Sequence, residues 1–140
     1  MQDAITVGTD VVEVSRFRRL PSGPQFFRRV FTDRELSYCL SHPDPAPHMA
    51  ATFAGKEAVW KAIRGAVPIR EIEILHDEKG APYVQLARDT GLVVSVSLAH
   101  SSRDAVAVAI ASDRSLKDAS VRPSLESASH SILRGEMIDH

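Results

Sequence analysis

The hydrophobic pattern of this chain changes period near Gly65, and that switch constrains the fold more than any other feature. Before it, Met49–Arg64 reads as one long helix, ended by the stretch from Gly65 to Pro68. After it, Glu71–His76 alternates apolar and polar residues, as a half-buried strand does. Asp77-Glu78-Lys79-Gly80 is turn-like, and Pro82–Leu86 reads as the returning strand. Val93–Ala99 and Ala105–Ala111 are two more strands, joined by Ser101-Ser102-Arg103-Asp104. A chain that is helical first and then repeatedly extended favours an α+β layout, with helices packed on a mainly antiparallel sheet.

The first third of the chain is more broken. Ala4–Val7 predicts a short strand, and Val11–Leu20 predicts a helix that Pro21-Ser22-Gly23-Pro24 interrupts. Gln25–Phe31 suits another helical turn. Thr32-Asp33-Arg34-Glu35 has capping-box spacing and opens a short helix to about Leu40. Ser41–His48 holds three prolines, which predicts a loop. Residues 1–112 are expected to form one domain. The Ser-rich stretch 113–140 reads as a tail, with one helical turn near Leu125–Leu133.

With 140 residues the chain is long enough for a real core. A net charge of -1 gives no bulk field toward nucleic acid. The charge is uneven, because Arg16, Arg18, Arg19, Arg28, Arg29 and Arg34 face only Asp33 within residues 16–34. That excess suits an acidic partner, or simply a solvated face. A single cysteine, Cys39, excludes an internal disulfide framework and fits a reducing compartment. No apolar run reaches membrane-spanning length, and Met1-Gln2-Asp3 lacks the basic region of a signal peptide, so a cytoplasmic location is expected.

Glu57 and Lys61 are four residues apart and share one face of the long helix, with Lys56 on the neighbouring face. Asp10 follows an apolar run at a strand end, and His100 closes the run Ser97-Leu98-Ala99-His100. Two carboxylates, two lysines and a histidine suit a site for a metal and a phosphorylated substrate. Plain readings stand beside this one. Asp10 with Glu13 has the spacing of a helix cap, and Glu57 with Lys61 that of a surface ion pair. His100 and Lys56 need have no function, and Trp60 and Phe53 read as core.

Taken together, four motifs resemble the holo-acyl-carrier-protein synthase family, the small type of 4′-phosphopantetheinyl transferase. Gly-x-Asp-(Ile/Val)-x-x-x-x-Arg is met by Gly8, Asp10, Val11 and Arg16, and Phe-Ala-(Ala/Gly)-Lys-Glu-Ala-x-x-Lys-Ala by Phe53 through Ala62. A Gly-x-Pro turn is met by Gly80 and Pro82, and a Ser-x-(Ser/Thr)-His strand end approximately by Ser97–His100. The resemblance spans about residues 4–111.

It implies the 4′-phosphopantetheinyl transferase fold and a Mg²⁺-dependent transfer of the phosphopantetheine arm of coenzyme A to a serine of an apo acyl carrier protein. Asp10 and Glu57 would be the Mg²⁺ ligands. Lys61 would assist the pyrophosphate or take the serine proton. Lys56 and His100 would contact coenzyme A phosphates, and Gly80 and Pro82 would border the adenine pocket. Arg16, Arg19, Arg28 and Arg29 would meet the acidic carrier, and the family's cleft between subunits implies a homotrimer. The chain departs from the family at Thr52, where relatives carry a nucleotide-binding arginine, at Arg64-Gly65-Ala66, and at Ala99. The alternatives are a non-catalytic relative that binds a carrier protein or serves as an assembly subunit, and a nucleic-acid binder, which the net charge disfavours.

Overall fold

A computed structural model describes residues 5–19 and 24–116. Strand β1 (Ile5–Glu13) leads into helices α1 (Ser15–Arg19), α2 (Pro24–Val30), α3 (Asp33–Leu40) and α4 (Pro45–Ala62). Strands β2 (Ile72–His76), β3 (Pro82–Leu86), β4 (Leu92–His100) and β5 (Asp104–Asp113) follow. All pairings are antiparallel, with β1-β5-β4 forming one sheet and β2-β3 a separate hairpin. The expected α+β class holds, with two sheets in place of one.

The sheet faces α4 through very small side chains. Successive β5 residues point to opposite faces, so Ala105, Ala107, Ala109 and Ala111 line the inner one and are buried. Against them α4 brings Ala50, Ala51, Ala54, Gly55, Ala58 and Ala62, also buried. Small residues on both sides let the helix axis approach the sheet closely. At Gly8 the approach is tightest, since a Cβ there would collide with the Ala58 carbonyl oxygen. Phe17, Phe31 and Phe53 extend the core under α1 and α2 with mutually tilted rings.

Three boundaries differ from the sequence expectation. β1 runs through Asp10 to Glu13, where a helix was expected from Val11. Its β-branched run favours extended backbone, and pairing from Ile5 with Ser112 to Glu13 with Asp104 completes the ladder. Asp10 is therefore a mid-strand residue, which removes the helix-cap reading. The expected loop over Ser41–His48 gives way to α4 at Pro45. Pro45 opens the helix and Pro47 also falls in its first turn, where backbone N–H groups lack intrahelical partners in any case. Trp60, expected in the core, is 41% exposed and packs over Gly65. β5 runs through Asp113 and a 3-10 turn covers Arg114–Leu116, within the stretch expected as a tail, and the helical turn expected near Leu125–Leu133 lies outside the described residues.

Candidate active site

The close approach at Gly8 positions the catalytic candidates. Gly8 and Asp10 are two residues apart on β1, so both face α4. Lys61 Nζ donates to the Thr9 carbonyl oxygen at 2.9 Å and to Asp10 Oδ1 at 3.4 Å. Glu57 lies one turn back along α4. Partial burial, and then the nearby Asp10 carboxylate, hold its acid above the usual carboxylate range, while Lys61 and Arg16 act in the opposite direction. Asp10, Glu57 and Lys61 thus share one electrostatic neighbourhood at the β1 edge of the sheet.

Two neighbouring carboxylates, one of them poorly solvated, have the chemistry of a hard-cation site. Among the described residues no group of three or more His, Cys, Asp or Glu side chains is arranged to hold a metal. A cation at Asp10 and Glu57 would therefore complete its shell with phosphate and water oxygens, the habit of Mg²⁺. The residues present fit that ion.

Lys56 does not join them. Its side chain is wholly buried, and its ammonium lies 2.6 Å from Glu35 Oε1, itself unexposed. The expectation that Lys56 contacts coenzyme A phosphates is corrected, because no external phosphate can reach it. Burial lowers its pKa while Glu35 opposes the shift. Glu35 also accepts from the Ile74 and Thr32 backbone N–H groups at 2.8 Å each, so the pair ties α4 to β2 and to the capping box of α3. The Thr32–Glu35 spacing pointed to a helix cap but not to this burial.

Gly80, Pro82 and His100 gather at the opposite edge of the sheet, beside β4. Asp77 Oδ1 accepts from the Lys79 and Ala81 N–H groups, and Gly80 takes φ 85°, which favours glycine. With Tyr38, His48, Thr52, His76 and Leu98 these residues line a cavity of about 160 Å³. His48 and His76 carried no sequence signal, since the histidines come from separate elements. β5 lies between β1 and β4, so the Asp10–Glu57–Lys61 group and this cavity flank α4 on different sides.

Of the partner candidates, Arg28 and Arg29 are exposed on α2. Arg16 is exposed too, with its guanidinium carbon 5.2 Å from the Phe53 ring centroid. Arg19 ends α1, and its side chain is not among those described. Arg18 is held by Asp44 in a two-pronged pair at 2.8 and 2.7 Å.

Known proteins are similar to this chain in sequence and fold. A sequence model of the 4′-phosphopantetheinyl transferase superfamily matches residues 6–111. A holo-[acyl-carrier-protein] synthase of Chlorobaculum parvum is 39% identical over 111 residues, covering 74% of this chain and 95% of that protein. The synthase of Moorella thermoacetica is 39% identical over 118 residues, covering 76% and 92%. Among solved structures, the holo-[acyl-carrier-protein] synthase of Neisseria meningitidis matches with TM-score 0.68 and 33% identity, covering 77% of this chain and 98% of that one. That of Helicobacter pylori, in complex with coenzyme A, matches with TM-score 0.68 and 26% identity, covering 76% and 99%. A matching sequence pattern, relatives aligned over nearly their whole length and the same fold place this chain in the 4′-phosphopantetheinyl transferase superfamily.

Proposed function

We propose that this chain is a holo-[acyl-carrier-protein] synthase, which moves the 4′-phosphopantetheine arm of coenzyme A onto a serine of an apo acyl carrier protein. The observation that carries this is the convergence of Asp10, Glu57 and Lys61 at the β1 edge, in a chain whose relatives bear that name. A protein that only bound a carrier would have no use for a poorly solvated Glu57 beside a second carboxylate. The serine hydroxyl oxygen forms a bond to the β-phosphorus, the bond from that phosphorus to the bridging oxygen breaks, adenosine 3′,5′-bisphosphate leaves on that oxygen, and the serine proton is released to water.

Asp10 and Glu57 would hold Mg²⁺, which when bound offsets pyrophosphate charge. Lys61 is the donor in both of its hydrogen bonds, and the same Nζ would donate to the pyrophosphate oxygens. Arg16, Arg19, Arg28 and Arg29 would face the acidic carrier, and Gly80, Pro82 and His100 would hold the nucleotide end of coenzyme A. The domain is taken as residues 1–112 and the setting as cytoplasmic; no helix among the described residues is long and apolar enough to cross a membrane.

We propose that the chain assembles as a homotrimer, a reading that two observations support. The two halves of the site lie at opposite sheet edges, which suits a cleft that a neighbouring copy completes. The outer sheet face also carries Val7, Val11, Val106, Val108 and Ile110, each at least 39% exposed, an apolar patch that a second copy would cover. Incubating the chain with coenzyme A, Mg²⁺ and an apo carrier, followed by intact mass, tests the activity. Gain of one phosphopantetheine is expected; carrier binding without a mass change would instead give a non-catalytic relative.

A further inference from the structure

Helix α4 ends over the start of β1, and the way it ends leaves one residue in an uncommon conformation. Gly8 lies against Ala58 and Ala62, and Thr6 Oγ1 donates to the Ala62 carbonyl oxygen at 2.6 Å. Beyond the C-cap Ile63, the Arg64 N–H donates to the Lys61 carbonyl oxygen at 3.1 Å and the Gly65 N–H to that of Trp60 at 3.0 Å. These two bonds make a Schellman turn, whose first residue past the cap takes a left-handed backbone and is usually glycine. Here it is Arg64, at φ 55°, the one positive-φ residue other than glycine among the described residues. Residues held in this region cluster at ligand sites and active sites, which makes Arg64 a functional candidate.

Arg64 lines a cavity of about 400 Å³ with Lys61, Ile5, Thr6 and Val7, two cations and no carboxylate. Lys61 directs its ammonium to Thr9 and Asp10, and Arg64 brings the cation at the Ile5 end. Ile5 and Val7 supply an exposed apolar wall. Val7 belongs as well to the outer sheet face, which puts the cavity beside the proposed seam between copies. The volume falls within the roughly 300–1,000 Å³ of ligand sites. An apolar wall with a cation at its end fits a chain-like group that ends in an anion.

We propose that this cavity receives the far end of the transferred arm, and that Arg64 selects coenzyme A thioesters whose acyl group carries a carboxylate. This rests on the transferase reading above. Arg16, assigned to the carrier, lies beyond the Glu13 end of β1, and the nucleotide is assigned to the edge with Gly80 and His100. The remaining direction from Asp10 leads past Lys61 to Thr6. Those four residues of strand span about 13 Å, a length that an extended arm of two amide units and a cysteamine end can cover. A carboxylate at that end pairs with the guanidinium in two-pronged geometry, whereas a free thiol or an acetyl group does not. The thioester takes no part in the step. The serine oxygen bonds to the β-phosphorus, the same phosphorus–oxygen bond breaks and the serine proton goes to water, so the acyl group travels with the arm.

Transfer by the full chain from coenzyme A, acetyl-coenzyme A and malonyl-coenzyme A to an apo carrier with Mg²⁺, read by intact mass, tests the proposal. The wild type should favour malonyl- over acetyl-coenzyme A in kcat/KM by roughly fivefold, the scale of one partly exposed charge pair. Arg64→Gly should bring that ratio close to one, and Arg64→Lys should keep part of it. A cation at a helix C-terminus also complements the helix dipole, and the melting temperature separates that role from selection. Arg64→Gly relieves the left-handed strain and should melt no lower than the wild type; a helix-end charge would make it melt lower and leave the ratio alone. Equal kcat/KM for the two thioesters in the wild type, or a preference that survives Arg64→Gly, would overturn the selection while leaving the transferase reading intact. No transfer from any of the three donors would overturn both.

Discussion

Lys56 Nζ lies 2.6 Å from Glu35 Oε1, and neither side chain has any exposure to solvent. The pair joins the helix that carries Glu57 to the strand that carries His76. Removing one partner leaves a buried charge, so Glu35→Gln or Lys56→Met should each cost about 3–5 kcal/mol. Replacing both with apolar residues, as in Glu35→Leu with Lys56→Met, should recover much of that loss. Urea denaturation of the three variants measures it. Equal costs for the double and single variants would show that the ion pair itself, not its completeness, stabilises the fold.

Glu57 supplies a prediction with a definite sign. Its folded-state acid is weakened by burial and by Asp10. A raised carboxylate pKa means that the folded protein holds the proton more tightly than the unfolded chain does. The resulting stabilisation is complete below the unfolded value of about 4.3 and is lost as pH rises through the folded one. Wild-type thermal stability should therefore fall more than that of Glu57→Gln as pH is raised across this window. At neutral pH, Mg²⁺ should raise the wild-type melting temperature but not that of Glu57→Gln. Asp10→Asn and Glu57→Gln should each lower turnover by roughly 10²-fold or more, and identical melting curves with and without Mg²⁺ would exclude the metal assignment.

The exposed arginines of α2 should act on encounter, not chemistry. Arg28→Glu with Arg29→Glu should raise the Michaelis constant for carrier protein roughly tenfold and leave kcat within about twofold. Added salt should mimic the variant, with little effect on the constant for coenzyme A, because exposed charges are screened beyond about 8 Å at physiological ionic strength. Arg16 is the less clean probe, since its charge also reaches Glu57. A carrier constant insensitive to both salt and charge reversal would reduce these arginines to a solvated face.

Local chemistry made parts of the fold legible. The Thr32–Glu35 box caps α3, β2 occupies Ile72–His76 as the alternation there indicates, and β3 occupies Pro82–Leu86, the strand read as returning after the turn. Helix α4 was harder to bound. Every residue from Met49 to Lys56 is buried, so no polar stripe marks its outer side or sets Lys56 apart from Lys61. Asp10 and Glu57 stood out only through their motifs, and what joins them is a missing side chain at Gly8. His42, His48 and His76 gave no signal beside His100, because they come from other parts of the chain and share no spacing with it.

The division of the site between two sheet edges has a genetic consequence. A chain with Lys61→Ala keeps an intact histidine edge, and a chain with His76→Ala and His100→Ala keeps an intact carboxylate edge. In the proposed assembly neither makes a complete cleft with copies of itself. Refolded together in equal amounts, the two defective proteins should complement, with about one quarter of all clefts drawing both sound halves from different chains. Val108→Glu, on the apolar face that copies would share, should abolish this rescue along with the assembly. Two inactive alleles in one cell would then restore each other, and neither mutation would behave as a simple loss confined to its own polypeptide.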